Sequence, residues 1–385
     1  MSKFKIYVFP FVAVIYLVFN LVFTILSCLS GDMLIELQMV SINREMLIKA
    51  FFVQSISFLI IYCIYSFFNK FPSKTIQENG YSNLCGYFLI GYQIFYMGLS
   101  IYYGVGVVGR SENLEINHYL LILTNIFSVD ILFFIIGTQL KSSKLFYINL
   151  FIYILATTIR GWMGGVLIAI FIFLCRKGSF LINFKNMFSM LVLLVILVLS
   201  SPALVDLKYN IRGGDSVVSD DTSYLDKLNL TSQYIFGRFQ HVGHVYLIQK
   251  NENIYYQKYE TGVIAPFYTE GFIQGIIFKN LGYTENFTFG EYVAKNAFGG
   301  TGWNTNTGLA GWYYILHEKF ILLIFYWLVL LSFVYFIILK YATKTLFNII
   351  SVFLIVYLYH GWFGAFFDLL FFACLYTLIN RCRIR

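Results

Sequence analysis

Long apolar runs recur along almost the whole chain, and they constrain its fold more than any other feature. The runs lie near 6–28, 47–68, 85–105, 118–140, 145–160, 161–175, 187–205, 320–340, 345–360 and 363–380. A helix needs about 20 mostly apolar residues to cross the hydrocarbon core of a bilayer. Only 12% of the 385 residues are charged, against roughly 25% in a soluble domain. The sequence therefore predicts an all-α polytopic integral membrane protein with about ten transmembrane helices.

Lysine and arginine are unevenly distributed between alternate connections of these predicted helices. With the N-terminus inside, the cytoplasmic segments carry most of them, namely Lys3, Lys5, Lys70, Lys74, Lys141, Lys144, Arg176, Lys177, Lys185, Lys340, Lys344, Arg381, Arg383 and Arg385. The short segments on the other side mix acids and bases. Cytoplasmic loops of membrane proteins carry this excess of positive charge. The pattern therefore predicts an even number of spans and places both termini in the cytoplasm.

These spans divide the chain into three parts. Residues 1–205 hold seven helices, residues 206–319 form one large loop outside the membrane, and residues 320–385 hold three more helices and a cytoplasmic tail. Acidic and basic residues nearly balance in the loop, which argues against a polyanion-binding surface. Its many aromatic residues argue against disorder, and the pattern from 223 to 250 predicts one or two helices. The six cysteines lie in or beside apolar runs, so we expect packing roles and no disulfide framework.

Arg160 is the first candidate for chemistry, because it is a basic residue at the outer end of the fifth predicted span. It stands in the segment Thr-Thr-Ile-Arg-Gly-Trp, beside Trp162. An arginine here could simply extend to lipid headgroups at the interface. Alternatively, its planar and permanently charged guanidinium could bind a lipid diphosphate.

A second candidate cluster lies in the large loop and contains Arg238, His241 and His244. On a helix these residues step by three and share one side. The histidines could be merely hydrogen-bonded, or they could bind a metal, although no third ligand stands at a usual spacing. In a catalytic role, the arginine would bind a diphosphate and a histidine would exchange a proton near neutral pH. Arg212, in a Gly-rich segment, could add a positive group or could be a solvated loop charge.

The segment 298–314 is rich in glycine, asparagine, threonine and aromatic residues. Such side chains suit sugar hydroxyls and the apolar faces of sugars, so the candidate substrate contacts are Trp303, Asn304, Asn306 and Tyr313. A plain turn before the eighth span would use similar residues. Asp130 and Asp368 lie at membrane depth, where acids are costly and face the bundle interior. They could neutralise buried arginines, line the acceptor site or mark an ion path.

The chain resembles the O-antigen polymerase (Wzy) family. The resemblance rests on many spans, cytoplasmic termini and one large, late outer loop, with local support from Arg160-Gly161, Gly237-Arg238 and the segment 304–308 leading into Tyr313-Tyr314. It departs from one pattern of some members, an arginine followed by ten residues and a glycine, because Phe171 and Gln249 stand at those positions.

The resemblance implies a metal-independent and cofactor-free membrane glycosyltransferase of the bacterial inner membrane. It implies a substrate, undecaprenyl-diphosphate-linked oligosaccharide repeat units, which the enzyme joins at the periplasmic face. A chain-length regulator protein is an expected partner, whereas nothing in the sequence indicates nucleotide or nucleic-acid binding. Arg160 and Arg238 would stabilise the leaving diphosphate, and His241 or His244 would accept the proton of the attacking hydroxyl.

Three other functions remain open from the sequence alone. A related O-antigen ligase would move finished chains to lipid A core, and it is barely distinguishable here. A polysaccharide flippase or another transporter would favour pseudo-repeated halves and short loops, which the single large loop argues against. A membrane O-acetyltransferase would need a cytoplasmic histidine site, whereas all five histidines are predicted on the outer side.

Overall fold

The computed structural model describes residues 4–36, 38–74, 80–107, 117–162, 164–182, 192, 195–196, 198–212, 223–282, 287–299 and 304–384. Most of these residues are helical, which confirms the all-α prediction. The helices are α1 (Val8–Ser30), α2 (Arg44–Phe68), α3 (Asn83–Tyr103), α4 (His118–Ile126), α5 (Val129–Ile135), α6 (Ser143–Ile159), α7 (Gly164–Lys177), α8 (Ser201–Arg212), α9 (Tyr224–Gly237), α10 (Val242–Lys250), α11 (Glu252–Glu260), α12 (Phe272–Asn280), α13 (Phe289–Phe298), α14 (Gly308–Leu316), α15 (Phe320–Tyr341), α16 (Lys344–Phe353) and α17 (Phe363–Ile384).

Two short antiparallel strand pairs, which the sequence did not predict, join segments at the ends of helices. Strand β1 (Phe4–Tyr7) pairs with β4 (Ser179–Ile182), so the N-terminal segment lies beside the end of α7. Strands β2 (Asp32–Ile35) and β3 (Gln38–Ser41) form a hairpin between α1 and α2.

Six helical segments of the described residues are long and apolar enough to cross a membrane. They are Val8–Ser30, Arg44–Phe68, Asn83–Tyr103, Tyr119–Gln139, Gly308–Tyr341 and Phe363–Arg381, and two shorter apolar helices cover Ser143–Ile159 and Lys344–Tyr359. Their outer faces remain apolar: on α15, Ile321 and Phe325 are 71% and 65% exposed, while Leu323 is fully buried. Apolar surface of this extent requires lipid contact. The chain is therefore a multi-pass membrane protein.

Two predicted spans do not form continuous α-helices in the structure. The span predicted at 118–140 consists of α4, α5 and a 3₁₀ turn at Gly137–Gln139, with a break at Phe127 and Ser128. The span predicted at 345–360 begins as α16 and continues as a π-helix, Leu354–Tyr359. The span predicted at 187–205 lies largely outside the described residues, and its end falls in α8.

The core of the bundle is the segment formed by α16 and the π-helix. From Leu346 to Tyr359, almost every side chain of this segment is buried. It packs against α1, α2, α7, α14 and α17. The segment ends at His360, next to the helices that build the candidate site.

Candidate functional site

A small pocket lies between the β2–β3 hairpin and the helices that follow α8. Helix α9 packs on β2, and α10 packs on both α2 and α14. The pocket is lined by Leu34, Glu36, Gln233, Tyr234, Gly237, Arg238, Gln240, His244 and Asn306. Three sequence-predicted residues, Arg238, His244 and Asn306, therefore meet at one place.

The chain turns between α9 and α10, so the predicted helical spacing of the Arg-His-His cluster is wrong. Arg238 is the C-terminal cap of α9, His241 precedes α10, and His244 lies within α10. The histidines nevertheless stay close, with ring centroids 6.1 Å apart. The prediction of helices from 223 to 250 is confirmed, because α9 and α10 occupy this region.

A buried asparagine of the first helix fixes the start of α10. The side-chain oxygen of Asn20 accepts hydrogen bonds from the backbone N–H groups of His241 and Val242, at 2.9 and 3.2 Å. Its amide nitrogen donates to the hydroxyl of Tyr359 at 3.1 Å. Free N–H groups at the start of a helix need such acceptors. Asn20 thus ties α1, α10 and the π-helix together beneath the pocket.

Glu36 and Arg238 form the central ion pair of the pocket. The two terminal guanidinium nitrogens of Arg238 each donate to one carboxylate oxygen of Glu36, both at 3.1 Å. The Nε2 atom of His244 lies 3.3 Å from the same carboxylate. Burial opposes ionisation of Glu36, but Arg238, His244 and Lys208 outweigh burial and lower its pKa to about 2. Glu36 is therefore an anion throughout the physiological range.

Glu36 also has an unusual backbone conformation, with a φ of 46° at the turn of the hairpin. Positive φ is uncommon outside glycine, and such residues persist where their surroundings hold them. The ion pair with Arg238 and the contact with His244 provide that restraint. The hairpin therefore presents one carboxylate to the cations of the loop helices.

Tyr234 brings a second cation, Lys208, to the pocket. Its hydroxyl oxygen accepts hydrogen bonds from Lys208 on α8 and from Arg238. Both cations also lie over its ring, with the Lys208 nitrogen 4.7 Å and the Arg238 guanidinium carbon 4.5 Å from the ring centroid. Burial opposes ionisation of the phenol, yet the two cations lower its pKa below the ordinary value. A phenol in this setting is unusually acidic.

His241 forms a buried pair with His360 at the end of the π-helix. Their Nε2 atoms are 2.8 Å apart, so one ring donates and the other accepts. Burial lowers the pKa of His241 well below 6.5, and the neighbouring His360, His244 and Arg238 lower it further. His241 is therefore neutral at pH 7, with its Nε2 atom occupied by His360.

Arg160 lies in a separate cluster with Asp130. Its two terminal nitrogens donate to the two oxygens of Asp130 at 2.8 and 2.6 Å, and its Nε donates to the carbonyl of Ala156 at 3.2 Å. The rings of Tyr96 and Trp162 lie 5.5 and 5.8 Å from the guanidinium. Asp130 thus neutralises a buried arginine, one of the roles that the sequence left open.

The other predicted contacts lie apart from the pocket or outside the described residues. Asn304 accepts a hydrogen bond from the Thr288 hydroxyl at 3.1 Å, at the start of α13. Tyr313 is 44% exposed on α14 and packs against Tyr314 and Phe320. Trp303 lies outside the described residues, and of Arg212 only the backbone, at the end of α8, is described.

Sequence reasoning did not identify Glu36, Lys208 or Tyr234 as site residues. Lys208 and Tyr234 belong to polar helices next to an apolar run, where nothing in the local pattern separates them from solvated residues. Among the described residues, no three His, Cys, Asp or Glu side chains form a group that could hold a metal ion.

Comparisons with protein-family models, with curated proteins and with solved structures gave no match to this chain.

Proposed function

We propose that the chain is a surface-polysaccharide polymerase of the bacterial inner (cytoplasmic) membrane. It would join undecaprenyl-diphosphate-linked oligosaccharide repeat units at the periplasmic face. The observation that carries the proposal is the charge of the pocket. Arg238 and Lys208 converge there with His244, and Glu36 is the only acid among the described lining residues. Clustered cationic hydrogen-bond donors suit a diphosphate.

The proposed topology has about ten spans, with both termini in the cytoplasm and the loop 206–319 in the periplasm. The pairing of β1 with β4 agrees with it, because the N-terminus and the end of α7 then share the cytoplasmic side. In this topology the pocket is periplasmic: its hairpin is the first outer connection, and Tyr234, Arg238 and His244 belong to the large loop. That is the side on which flipped lipid-linked sugars arrive.

The chemistry requires stabilisation of a leaving group that gains negative charge. As the bond between the anomeric carbon and the diphosphate breaks, Arg238 and Lys208 would bind the developing anion. Removing one preorganised donor of this kind typically slows a reaction about 100- to 1000-fold. The side chain of Asn306, which borders the same pocket, would bind a sugar hydroxyl. This scheme requires no metal or cofactor from the protein.

The remaining sequence-predicted roles stay predictions. Arg160 would need to exchange Asp130 for a diphosphate, because both of its terminal nitrogens already donate to that acid. His241 and His244 would need to release His360 and Glu36 before their Nε2 atoms could accept a proton. A chain-length regulator is the proposed protein partner.

Deletion and complementation in the native bacterium test the proposal. The gene is deleted and restored as wild type, Arg238→Ala or Arg44→Ala, and surface lipopolysaccharide is separated on a gel. Arg44 is an exposed arginine at the start of α2, so it controls for loss of one positive charge. We expect deletion and Arg238→Ala to leave core with a single repeat unit, and wild type and Arg44→Ala to restore the ladder.

Other gel patterns would contradict the polymerase assignment. Bare core together with accumulated lipid-linked long chains would indicate a ligase. An unchanged ladder after deletion would instead favour a transporter or a membrane O-acetyltransferase.

A further inference from the structure

The hydroxyl group of Tyr234 lies in the pocket, and hydrogen-bond donors converge on it. Lys208 and Arg238 both donate to its oxygen. Neither cation can accept a hydrogen bond, so neither of them offers an acceptor for the proton of Tyr234. Burial, together with the neighbouring Tyr234, raises the pKa of Tyr209 to about 12, so Tyr209 keeps its proton at neutral pH.

Two cationic donors around one oxygen form a site for an anion. Such an arrangement stabilises the phenolate relative to the phenol, because hydrogen bonds to the charged form favour ionisation. Burial of the side chain strengthens these interactions by excluding water. Among the described residues, the negative charge that faces the phenol is Glu36, which is itself paired with Arg238. The elements packed around Tyr234 supply its charged and titratable neighbours. These are Lys208 and Tyr209 on α8, Arg238 at the C-terminal cap of α9, Glu36 in the hairpin and His244 on α10.

The histidines do not present a comparable base to the pocket. The Nε2 atoms of His241 and His244 are directed at His360 and Glu36. The Nδ1 atoms of both rings are buried without a hydrogen-bond partner among the described residues. A proton acceptor for a substrate hydroxyl must lie within hydrogen-bond reach of it. Tyr234 lines the pocket and carries the oxygen on which the cations converge.

We propose that Tyr234, as a phenolate, is the catalytic base that accepts the proton of the attacking sugar hydroxyl. The inference rests on the proposed function. The hydroxyl oxygen forms a bond to the anomeric carbon, and its proton passes to the Tyr234 oxygen. The bond from the anomeric carbon to the diphosphate oxygen breaks, and its electron pair leaves with the diphosphate. When the diphosphate binds Arg238, it withdraws one donor from Tyr234 and frees a lone pair for the incoming proton.

The test compares purified full-length wild type with Tyr234→Phe, Lys208→Met and Tyr224→Phe in lipid nanodiscs. Tyr224 lies on the same helix, and its hydroxyl donates to the carbonyl of Leu199, away from the pocket, so it is the matched control. The rate of polymerisation of lipid-linked repeat units is measured against pH. General-base catalysis contributes about 100- to 10,000-fold, so we expect Tyr234→Phe to lower kcat at least about 100-fold with little change in KM. Tyr224→Phe should match wild type.

The pH profile separates a base from a structural tyrosine. The active form is the phenolate, so the rate rises with pH through the pKa of Tyr234. Lys208→Met removes a cation that favours the phenolate, and it should shift this rise to higher pH. An unchanged kcat in Tyr234→Phe, or an unshifted profile in Lys208→Met, would overturn the inference while leaving the polymerase assignment intact.

A second measurement does not depend on activity. The near-ultraviolet absorbance of tyrosinate is titrated in wild type and in Tyr234→Phe. The difference should show one tyrosine that ionises below the ordinary pKa of 10. If wild type fails to polymerise, the proposed function fails, and the titration still decides whether Tyr234 is an acidic phenol. Identical titration curves would exclude it.

Discussion

Glu36 and Arg238 are 202 positions apart in the sequence, and their side chains meet in a two-pronged ion pair with both N···O distances at 3.1 Å. The carboxylate of Glu36 has the shape and charge that one face of a phosphate group would present to Arg238. Glu36 therefore occupies the place that the diphosphate of the proposed substrate needs. In the proposed function, binding and catalysis would depend on the competition between the two anions.

Glu36→Gln should make the pocket a better anion site. The substitution removes the competing charge, so we expect the affinity for inorganic pyrophosphate to rise about tenfold, which corresponds to about 1.4 kcal/mol. Isothermal titration calorimetry on the purified full-length protein measures it. Asp32→Asn is the control, because Asp32 lies on the same hairpin and accepts a hydrogen bond from Ser41. Equal affinities in Glu36→Gln and wild type would exclude the competition.

The fold followed from the sequence to the extent that apolar length determines it. Runs such as 6–28 and 320–340 became α1 and α15 because nothing in them interrupts a helix. The break at Phe127–Ser128 and the π-helix at Leu354–Tyr359 were not predictable, because both occur inside apolar runs. There, packing against other helices determines the local backbone.

The candidate site was predictable only in part. Arg238 and His244 stood out because cations and histidines are uncommon in so apolar a chain. Their partner Glu36 could not be assigned, since hydropathy does not say which outer connection folds over which loop. Asn20 was equally hidden, although a polar amide in an apolar helix signals a buried hydrogen-bonding role.

A double-mutant cycle tests the ion pair between Arg160 and Asp130. The side chains of these residues are only 6% and 19% exposed, so removing one partner leaves a buried charge. We expect Arg160→Ala or Asp130→Ala alone to destabilise the protein by about 3–5 kcal/mol. The double variant should lose clearly less stability than the sum of the losses in the two single variants. Thermal unfolding in detergent measures all four proteins, and additive losses would show that the two residues do not act as a pair.

The neutral state of His241 predicts a pH dependence of stability. Its folded-state pKa lies well below 6.5, so below pH 6.5 the unfolded chain binds more protons than the folded one. Stability from this group is present above pH 6.5 and is lost as the pH falls, by up to about 1.4 kcal/mol per pH unit. The measurement is thermal unfolding between pH 7.5 and pH 5, roughly the range of histidine titration. As the pH falls, the free energy of unfolding should decrease less steeply in His241→Gln than in wild type. A wild-type slope in His241→Gln would contradict the prediction.

Gly361 follows the buried His360 in the sequence and packs against the segment that carries Asn306. It has a φ of 84°, and a Cβ atom there would lie 2.7 Å from both the backbone nitrogen of Gly308 and the hydroxyl of Thr307. The nitrogen of Gly308 also donates to the carbonyl of His360 at 2.9 Å. An alanine at Gly361 must therefore push residues 304–308 away from the end of the π-helix.

Gly262 supplies the matched control for this position. Its φ is 74°, and nothing lies within 4 Å of the corresponding Cβ. Both alanine variants carry the strain of a left-handed backbone, about 1–2 kcal/mol, but only Gly361→Ala adds a steric clash. We expect the free energy of unfolding to fall by about 1–3 kcal/mol more in Gly361→Ala than in Gly262→Ala. Thermal unfolding of both variants measures the difference. Gly361→Ala should also weaken pyrophosphate binding, because Asn306 moves with its segment. If the two variants unfold alike and bind pyrophosphate alike, residues 304–308 do not depend on the close contact with Gly361.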